Sequence, residues 1–330
     1  MEPVFFKDKY NPRTIDDTQL SIFQMKTHLI INGPPGSGKM TRALAMINGM
    51  HNNNGKVYKI KYKEHEIGDT TFVYGESEYH LELTPTSFGT DDKNIMVNFV
   101  AEKIANVRYA TLDHHIVIIK YANKVSNMAY QALRTLLEKK AHTGRFIFLT
   151  SGLSSIPDPI ISRCTVFRCP APSRKMVEEM ITTIAKKEGL KITSLMIQKI
   201  INNATLLKDR IDLNNVFYVL QMSFPTFAKY SNFKIPTFEI VERYMTFILT
   251  PPDKINLKFI KELRECIYEI MLNNIDLNIV YHYVSQQLID HGHNIIHIIA
   301  ESEMNLKMGN KVPVHLEAIV FNLIKALNIK

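Results

Sequence analysis

The sequence has few cysteines and no long apolar run, and each shortage excludes a class of protein. Its three cysteines, Cys164, Cys169 and Cys266, neither pair evenly nor show the spacing of a metal site. This usage favours a reducing compartment over a disulfide-bonded, secreted fold. No apolar stretch approaches the roughly 20 residues that span a bilayer, and the first residues lack the basic region and apolar run of a secretory signal. We therefore expect a globular protein with no membrane partner.

The chain carries an excess of positive charge. Its formal net charge is +8, while 45% of its 330 residues are hydrophobic, which is enough for more than one core. A basic excess favours an anionic partner such as nucleic acid, although many basic proteins bind none.

The first half of the chain alternates short apolar runs with amphipathic helical patterns. The runs at 28–32, 116–119 and 146–149 are continuous rather than alternating, which is typical of parallel strands covered on both faces. This order of elements predicts an α/β domain with a parallel sheet.

One helical pattern, at 126–138, is particularly clear. Its apolar residues fall on one stripe, Ser126 is placed to cap its start, and Arg134 with Glu138 is spaced as an i,i+4 pair.

The second half of the chain is helical in pattern and is divided by prolines. Because prolines begin the change near residue 170 and a second break lies around 231–237, we predict three domains. They are an α/β domain at 1–171, a small helical lid at 172–235 and an all-α C-terminal domain at 236–330. The last helix has an apolar face wide enough to need more than one neighbour.

A glycine-rich segment lies between the first predicted strand and a predicted helix. It fits the phosphate-binding loop G-x-x-x-x-G-K-[S/T] up to its last position. In such a loop backbone N–H groups wrap anionic oxygens, the helix N-terminus adds its dipole, and the lysine reaches the outer phosphates. A simple Gly/Pro turn is the alternative, but it does not account for the whole match. We predict that ATP or ADP is bound by Gly33, Pro34, Pro35, Gly36, Ser37, Gly38, Lys39, Met40 and Thr41.

Two replacements predict that this loop does not support hydrolysis. Met40 stands where a Ser or Thr hydroxyl ligates Mg²⁺, and a thioether is a poor ligand for that hard cation. Thr41 points about 100° away around the helix. The strand at 116–119 is followed by Lys120 and Tyr121, not by the carboxylates that hold Mg²⁺ and polarise the attacking water. Unless the strand is misplaced, we expect Mg²⁺ binding to be weak or absent and bound nucleotide not to be hydrolysed.

Several blocks resemble small subunits of the replication factor C clamp loader, which are AAA+ proteins. Lys9-Tyr10-Asn11-Pro12 is similar to the family's Lys-Tyr-Arg-Pro opening, residues 122–138 resemble its Ala-Gln-x-Ala-Leu-Arg helix, and Ser162-Arg163-Cys164 matches its Ser-Arg-Cys motif. Within the family, blocks such as Tyr-His-Leu-Glu at 79–82 resemble the subunit that ends the ring and has a degenerate ATP site.

This resemblance implies an α/β AAA+ P-loop domain with a helical lid and an all-α collar. It implies assembly with other clamp-loader subunits into a heteropentamer that loads a PCNA-like sliding clamp onto primer–template DNA in replication and repair. The expected location is the nucleus, or a cytoplasmic viral replication site if the source is a large DNA virus. The alternative is a stand-alone AAA+ ATPase or other P-loop enzyme, which would need the metal site that Met40 and Lys120 lack.

The resemblance also implies roles for individual residues. Arg163 is expected to act in trans, as an arginine finger for the ATP of a neighbouring subunit, the alternative being a structural arginine at a strand end. Ser151 and Asn214 fall at the two sensor positions, although Arg210, one turn earlier, leaves the second register open. The family's opening motif adds Tyr10 and Pro12 to the nucleotide site.

Clamp and DNA contacts are implied in the same way. A helix after Gly89 is expected to face the clamp through Asp92, Ile95, Met96 and Phe99. An ordinary helix packing on its own sheet needs the same apolar spacing, so both readings stay open. Phosphate contacts with DNA, which are independent of sequence, are expected from Arg42, Lys124, Arg134 and Lys139.

Overall fold

A computed structural model describes residues 6–10, 27–50, 60–67, 70–85, 92–105, 115–139, 144–190, 192–205, 211–223, 235–273, 275, 277–290, 292, 296–308 and 311–327. The chain divides into two compact units, Met1–Ser173 and Arg174–Lys330. The division into three domains stays a prediction.

The first unit is built on a seven-stranded sheet. Its strands are β1 (His28–Asn32), β2 (Lys61–Ile67), β3 (Thr70–Glu76), β4 (His80–Leu83), β5 (His115–Ile119), β6 (Gly144–Thr150) and β7 (Cys164–Arg168). Its α-helices are α1 (Phe6–Lys9), α2 (Lys39–Met50), α3 (Asp92–Asn94), α4 (Val100–Ala105), α5 (Asn127–Lys139) and α6 (Asp158–Ile161), and a π-helical turn, Ile95–Phe99, joins α3 to α4.

The strands lie in the order β2-β3-β4-β5-β6-β1-β7. The five strands from β4 to β7 in this order run parallel, and β1 lies between β6 and β7. The three strands that the apolar runs predicted are therefore confirmed, and the structure shows that they are neighbours, in the order β5-β6-β1.

Successive residues of these strands enter two different cores. Ile31, Ile118 and Ile147 pack on the face that α2 covers. Their neighbours in sequence pack on the opposite face against α5, including Val117 and Phe148. Because side chains alternate across a strand and both faces are covered, the strands need continuous rather than alternating apolar sequence.

Helix α5 forms as its sequence predicts. The Ser126 hydroxyl accepts a hydrogen bond from Ala129 N at 3.1 Å, which caps the first turn. Leu133 and Leu137 are buried on the sheet side, and Arg134 Nε lies 3.5 Å from Glu138 Oε1.

The antiparallel hairpin of β2 and β3 was not predicted. Its edge strand, Lys61–Ile67, is mostly charged and exposed, because an edge strand has one free side and only part of its surface faces a core. The sequence therefore gives no apolar run there.

The regular secondary structure of the second unit is helical in its described residues. Its helices are α7 (Arg174–Lys187), α8 (Ser194–Ala204), α9 (Leu213–Ser223), α10 (Pro236–Ile248), α11 (Leu257–Leu272), α12 (Leu277–Asp290), α13 (Ile296–Met308) and α14 (Val312–Leu327). Helices α10 to α14 share one core, in which the Tyr244 hydroxyl donates to Leu316 O at 2.8 Å. Helix α14 buries Leu316 and Leu323 there and exposes Val314 and Phe321. The predicted fold class, an α/β P-loop domain followed by an all-α part, is confirmed.

Candidate nucleotide site

The candidate site lies at the carboxyl edge of the parallel strands. The loop at 33–38 follows β1 and leads into α2. Gly33 N donates to Thr150 O at 3.1 Å and Cys169 N donates to Asn32 O at 2.7 Å, so the ends of β6 and β7 flank the loop on both sides. Open α/β sheets bind ligands at this edge.

The loop depends on glycine at three positions. Gly36 and Gly38 have φ of 68° and 85°, in the left-handed region that residues with a Cβ rarely adopt. At Gly33, a Cβ would lie 2.0 Å from the carbonyl oxygen of Cys169. The backbone can therefore curve tightly and approach an anion closely, as a phosphate-binding loop requires.

Buried polar atoms beside the loop also fit a polar ligand. Among the described residues, Ser37 Oγ and Asn32 Oδ1 are buried and have no hydrogen-bond partner. The Lys39 ammonium lies over the same loop and donates to Gly33 O at 2.6 Å and to Pro34 O at 2.8 Å. The loop, these two polar atoms and the ammonium form a cradle that fits a nucleotide phosphate.

The magnesium ligand that such a loop normally provides is absent from its expected position. Met40 is partly buried and packs against the apolar core beneath α2. Its thioether is a soft group in apolar surroundings, so the residue present does not fit Mg²⁺. Thr41, which is partly buried, is the next residue of α2.

A buried ion pair lies at the ends of β4 and β5. Lys120 Nζ is 2.6 Å from Glu82 Oε2, and the Glu82 side chain is almost fully buried. The imidazole of His80 is 3.1 Å from the other carboxylate oxygen, and its Nδ1 is 2.7 Å from Ser77 Oγ. Burial raises the pKa of Glu82, but hydrogen bonds and charge from His80 and Lys120 outweigh it, so this pKa lies below its ordinary value. Glu82 is therefore ionised at neutral pH.

The turn after β5 has an unusual backbone. Tyr121 has φ of 50°, the one positive value for a non-glycine among the described residues, and its ring is exposed. The buried Tyr130 hydroxyl holds this turn from α5 by donating to Ala122 O at 2.6 Å. The turn in which Lys120 and Tyr121 replace the usual carboxylates is therefore well ordered.

The first sensor-like residue follows the central strand. Ser151 comes directly after β6 and is exposed at the carboxyl edge. The Thr150 hydroxyl hydrogen-bonds Gly152 and so shapes the turn that carries Ser151.

Arg163 lies just before β7 and is held from two sides. Its guanidinium donates to Glu138 Oε1 at 2.5 Å and to Pro159 O at 2.6 Å, and 31% of its side chain is exposed. Hydrogen bonding from Arg163 holds the pKa of Glu138 below its ordinary value, with a smaller effect of Arg134. Both the trans-acting role and the structural role that the sequence left open are compatible with this placement.

The thiol beside Arg163 is predicted to be unreactive. Burial raises the pKa of Cys164 to about 12, although the charge of Arg163 acts in the opposite direction. At pH 8 its thiolate fraction is then on the order of 10⁻⁴, against about a quarter for a free cysteine of pKa 8.5. Because a thiolate of higher pKa is also more nucleophilic, the rate differs less than the thiolate fraction, and we expect iodoacetamide to label Cys164 at least about tenfold more slowly in the native chain than in urea. Labelling resolved by peptide mass spectrometry measures this, and native labelling at the unfolded rate would contradict it.

The residues proposed to face a clamp divide into two groups. Ile95 and Phe99 are buried in the first unit's own core, so their side chains are not available to a partner in this conformation. Their burial agrees with the alternative reading, a helix packed on its own sheet. Clamp contact by this segment stays a prediction. The side chains of Asp92 and Met96 lie outside the described part.

The residues proposed to contact DNA are at least partly accessible. The Arg42 guanidinium lies over the Phe167 ring, 5.9 Å from its centroid. Lys124, Arg134 and Lys139 are exposed on α5 and on the turn before it. DNA contact by these residues stays a prediction.

Three further predicted residues stay untested. Tyr10 follows α1 and its ring lies 6.0 Å from that of Phe6, while Pro12 is outside the described residues. Asn214 is exposed in the first turn of α9, where its N–H donates to Asp212 Oδ1 at 2.7 Å. Arg210, the competing sensor residue, is also outside the described residues.

Sequence reasoning missed the contacts of two carboxylates. Glu82 belongs to the Tyr-His-Leu-Glu block, which pointed only to a resemblance, and Glu138 was identified only as the partner of Arg134. The signal for Glu82 was a glutamate inside an otherwise buried strand, because a buried carboxylate needs a partner.

The chain is similar along most of its length to replication factor C subunits. It is 25% identical to replication factor C subunit 5 of Saccharomyces cerevisiae, over 97% of this chain and 99% of that protein. It is 26% identical to the probable subunit 3 of Dictyostelium discoideum, over 95% of each chain, and 25% identical to human subunit 3, over 89% of this chain and 84% of that protein.

Other comparisons are less informative. No protein-family model matches the chain. Among solved structures, the Thermotoga maritima RuvB Holliday junction branch migration motor matches with a TM-score of 0.47 and 13% identity, over 86% of this chain and 91% of that chain. Within the described residues, no helix combines the length and the apolar character needed to cross a membrane.

Proposed function

We propose that this chain is a small subunit of a replication factor C-type clamp loader, an AAA+ machine that loads a sliding clamp onto primer–template DNA. The observation that carries this proposal is the similarity to replication factor C subunit 5 of yeast over nearly the whole of both chains. The phosphate-binding loop at the carboxyl edge of a parallel sheet supports it, because this is the site that a nucleotide-driven subunit needs.

Within this proposal, the chain ends the ring and binds nucleotide without hydrolysing it. Gly36, Gly38 and the Lys39 ammonium support phosphate binding. Met40 packs into an apolar core and Lys120 pairs with Glu82, so neither position offers Mg²⁺ a ligand. Without a metal to neutralise developing charge or a carboxylate to orient water, the barrier to hydrolysis stays high.

Arg163 is the residue that we assign to catalysis, at the site of a neighbouring subunit. A guanidinium placed at the γ-phosphate offsets the negative charge that develops in phosphoryl transfer. In the chain alone, Arg163 is already ion-paired with Glu138, 2.5 Å away. Phosphate oxygens also accept hydrogen bonds from a guanidinium and carry more negative charge than this carboxylate, so the guanidinium can exchange one for the other.

The remaining partners follow from the same proposal. The exposed Val314 and Phe321 of α14 are suited to a collar in which several subunits pack together, with residues 172–235 as a lid. DNA would be bound through phosphates by the basic residues of α5 and of the turn before it, and the clamp by a surface near α3. We place the complex in the nucleus, or at a cytoplasmic viral replication site if the source is viral.

Two measurements on the purified proteins test this function. The tagged chain, co-expressed with the other clamp-loader subunits of its source, is expected to form one stable complex that loads a sliding clamp onto primed DNA. The chain alone is expected to bind ADP but to show no Mg²⁺-dependent ATP turnover above that of its Lys39→Ala variant. Turnover by the chain alone that Lys39→Ala abolishes would show a stand-alone enzyme instead.

A further inference from the structure

The Lys120–Glu82 pair lies on the same side of the sheet as the helix of the phosphate-binding loop. Glu82 is the register partner of Ile118, and neighbouring residues in register project from the same face. Ile118 packs in the core beneath α2, together with Ile31, which is two residues before the loop. Lys120 follows Ile118 by two residues and reaches Glu82, which places its ammonium on that face as well.

The pair is accessible to solvent on its lysine side. The Glu82 side chain is only 2% exposed, whereas that of Lys120 is 25% exposed. The Glu82 carboxylate is thus buried, and the Lys120 side chain is the partner that solvent or a ligand can reach. His80 contacts the carboxylate at 3.1 Å, and Ser77 Oγ in turn positions the imidazole through its contact with His80 Nδ1 at 2.7 Å. An ammonium has three donors, so one that pairs with Glu82 can also donate to a second anion.

The turn that carries Lys120 is held in one conformation. Lys120 N donates to Leu83 O at 2.8 Å, which continues the β4–β5 pairing by one residue. The Tyr130 hydroxyl fixes the backbone two residues later, at Ala122. A positioned ammonium loses less entropy on binding an anion than a flexible surface lysine does.

We propose that Lys120, held by Glu82, is a nucleotide-binding residue that donates to a phosphate of the bound nucleotide and takes the place of the magnesium ion. This inference rests on the proposed nucleotide binding by the loop. It accounts for two replacements together, because a site that carries its own cation needs neither the hydroxyl that Met40 replaces nor the carboxylate that Lys120 replaces. The nucleotide would be a diphosphate or triphosphate bound with little dependence on Mg²⁺.

Calorimetric titration of the full chain with ADP, in excess Mg²⁺ and in EDTA, tests the inference. The wild-type Kd is expected to agree within about threefold between the two conditions, which corresponds to about 0.65 kcal/mol or less. Lys120→Met is expected to weaken ADP binding about 10–100-fold in both, which is the range for a lost hydrogen bond to a charged group. Lys120→Arg, which keeps the charge, is expected to bind ADP more tightly than Lys120→Met.

A matched control and a second variant separate the outcomes. Lys61→Met removes an exposed lysine from the edge strand β2 and is expected to leave ADP binding unchanged. If Lys39→Ala abolishes binding while Lys120→Met, with a native thermal melt, binds like the wild type, the inference about Lys120 is overturned and nucleotide binding by the loop stands. A wild-type chain that binds ADP only with Mg²⁺ also overturns it. If the wild type binds no ADP in either condition, both proposals are overturned.

Discussion

Replacing Arg163 with alanine is expected to lower ATP hydrolysis at the neighbouring site of the assembled ring by a factor of about 10² or more. The guanidinium would no longer offset charge on the γ-phosphate, and no other donor of this chain is assigned to that position. Because only one site of the ring loses its arginine, the steady-state ATPase rate of the complex should fall by the fraction that this site contributes to the total. The rate of clamp loading should fall further if loading requires ATP hydrolysis at every active site.

Single-turnover hydrolysis and clamp loading by the reconstituted complex measure this effect. Arg163→Lys retains the charge but not the planar fork, so we expect it to recover only part of the rate. Arg174→Ala is a matched control, because Arg174 is also an exposed arginine paired with a glutamate, 3.4 Å away at Glu178. If Arg163→Ala hydrolyses ATP and loads clamps like the wild type, Arg163 is a structural residue of the β7 start.

Replacing Gly33 with alanine is expected to damage both stability and nucleotide binding. The new Cβ would lie 2.0 Å from Cys169 O and 3.0 Å from Ser37 Oγ, so the loop and the end of β7 must separate. Overpacking of this kind costs about 1–3 kcal/mol, which lowers the melting temperature of a unit of this size by roughly 3–10 °C. We expect ADP affinity to fall more than tenfold, because the N–H groups of the loop would no longer converge on one phosphate.

Thermal melting and ADP titration of Gly33→Ala measure the two effects separately. Gly152→Ala is the matched control at the same edge of the sheet, since the nearest atom to its new Cβ is Ser154 Oγ at 3.9 Å. This control should melt within about 2 °C of the wild type, which corresponds to a change below roughly 1 kcal/mol. A Gly33→Ala chain that melts and binds ADP like the wild type would show that the loop and β7 can separate freely.

Local sequence signals predicted much of the fold. The three apolar runs became the central strands because each is buried on both faces. The Ser126 cap and the Arg134–Glu138 pair formed because capping and i,i+4 spacing depend only on nearby residues. The phosphate-binding loop was predictable for the same reason, since its glycines meet backbone requirements within one turn.

Contacts between distant residues were not predictable from the sequence. Glu82 and Lys120 meet because β4 and β5 pair in a particular register, and Glu138 meets Arg163 because α5 ends beside the start of β7. The apolar spacing of Ile95 and Phe99 fits a core face and a binding face equally well, so their burial in the core could not be predicted from the spacing. Edge strand β2 escaped prediction because its residues are mostly polar.

Strand β7 has a consequence for the mechanics of the proposed ring. Arg163 immediately precedes this strand, and Cys169, which immediately follows it, contacts the phosphate-binding loop through Gly33 and donates to Ser37 O at 3.2 Å. Five residues of β-structure span about 17 Å, and β7 is held along its length by β1. The strand therefore connects the phosphate-binding loop at one end to Arg163, which we propose acts at the neighbour's site, at the other. In a subunit that does not hydrolyse its own nucleotide, β7 would keep one position throughout the ATPase cycle. It would then hold Arg163 at a constant position relative to the neighbour's γ-phosphate.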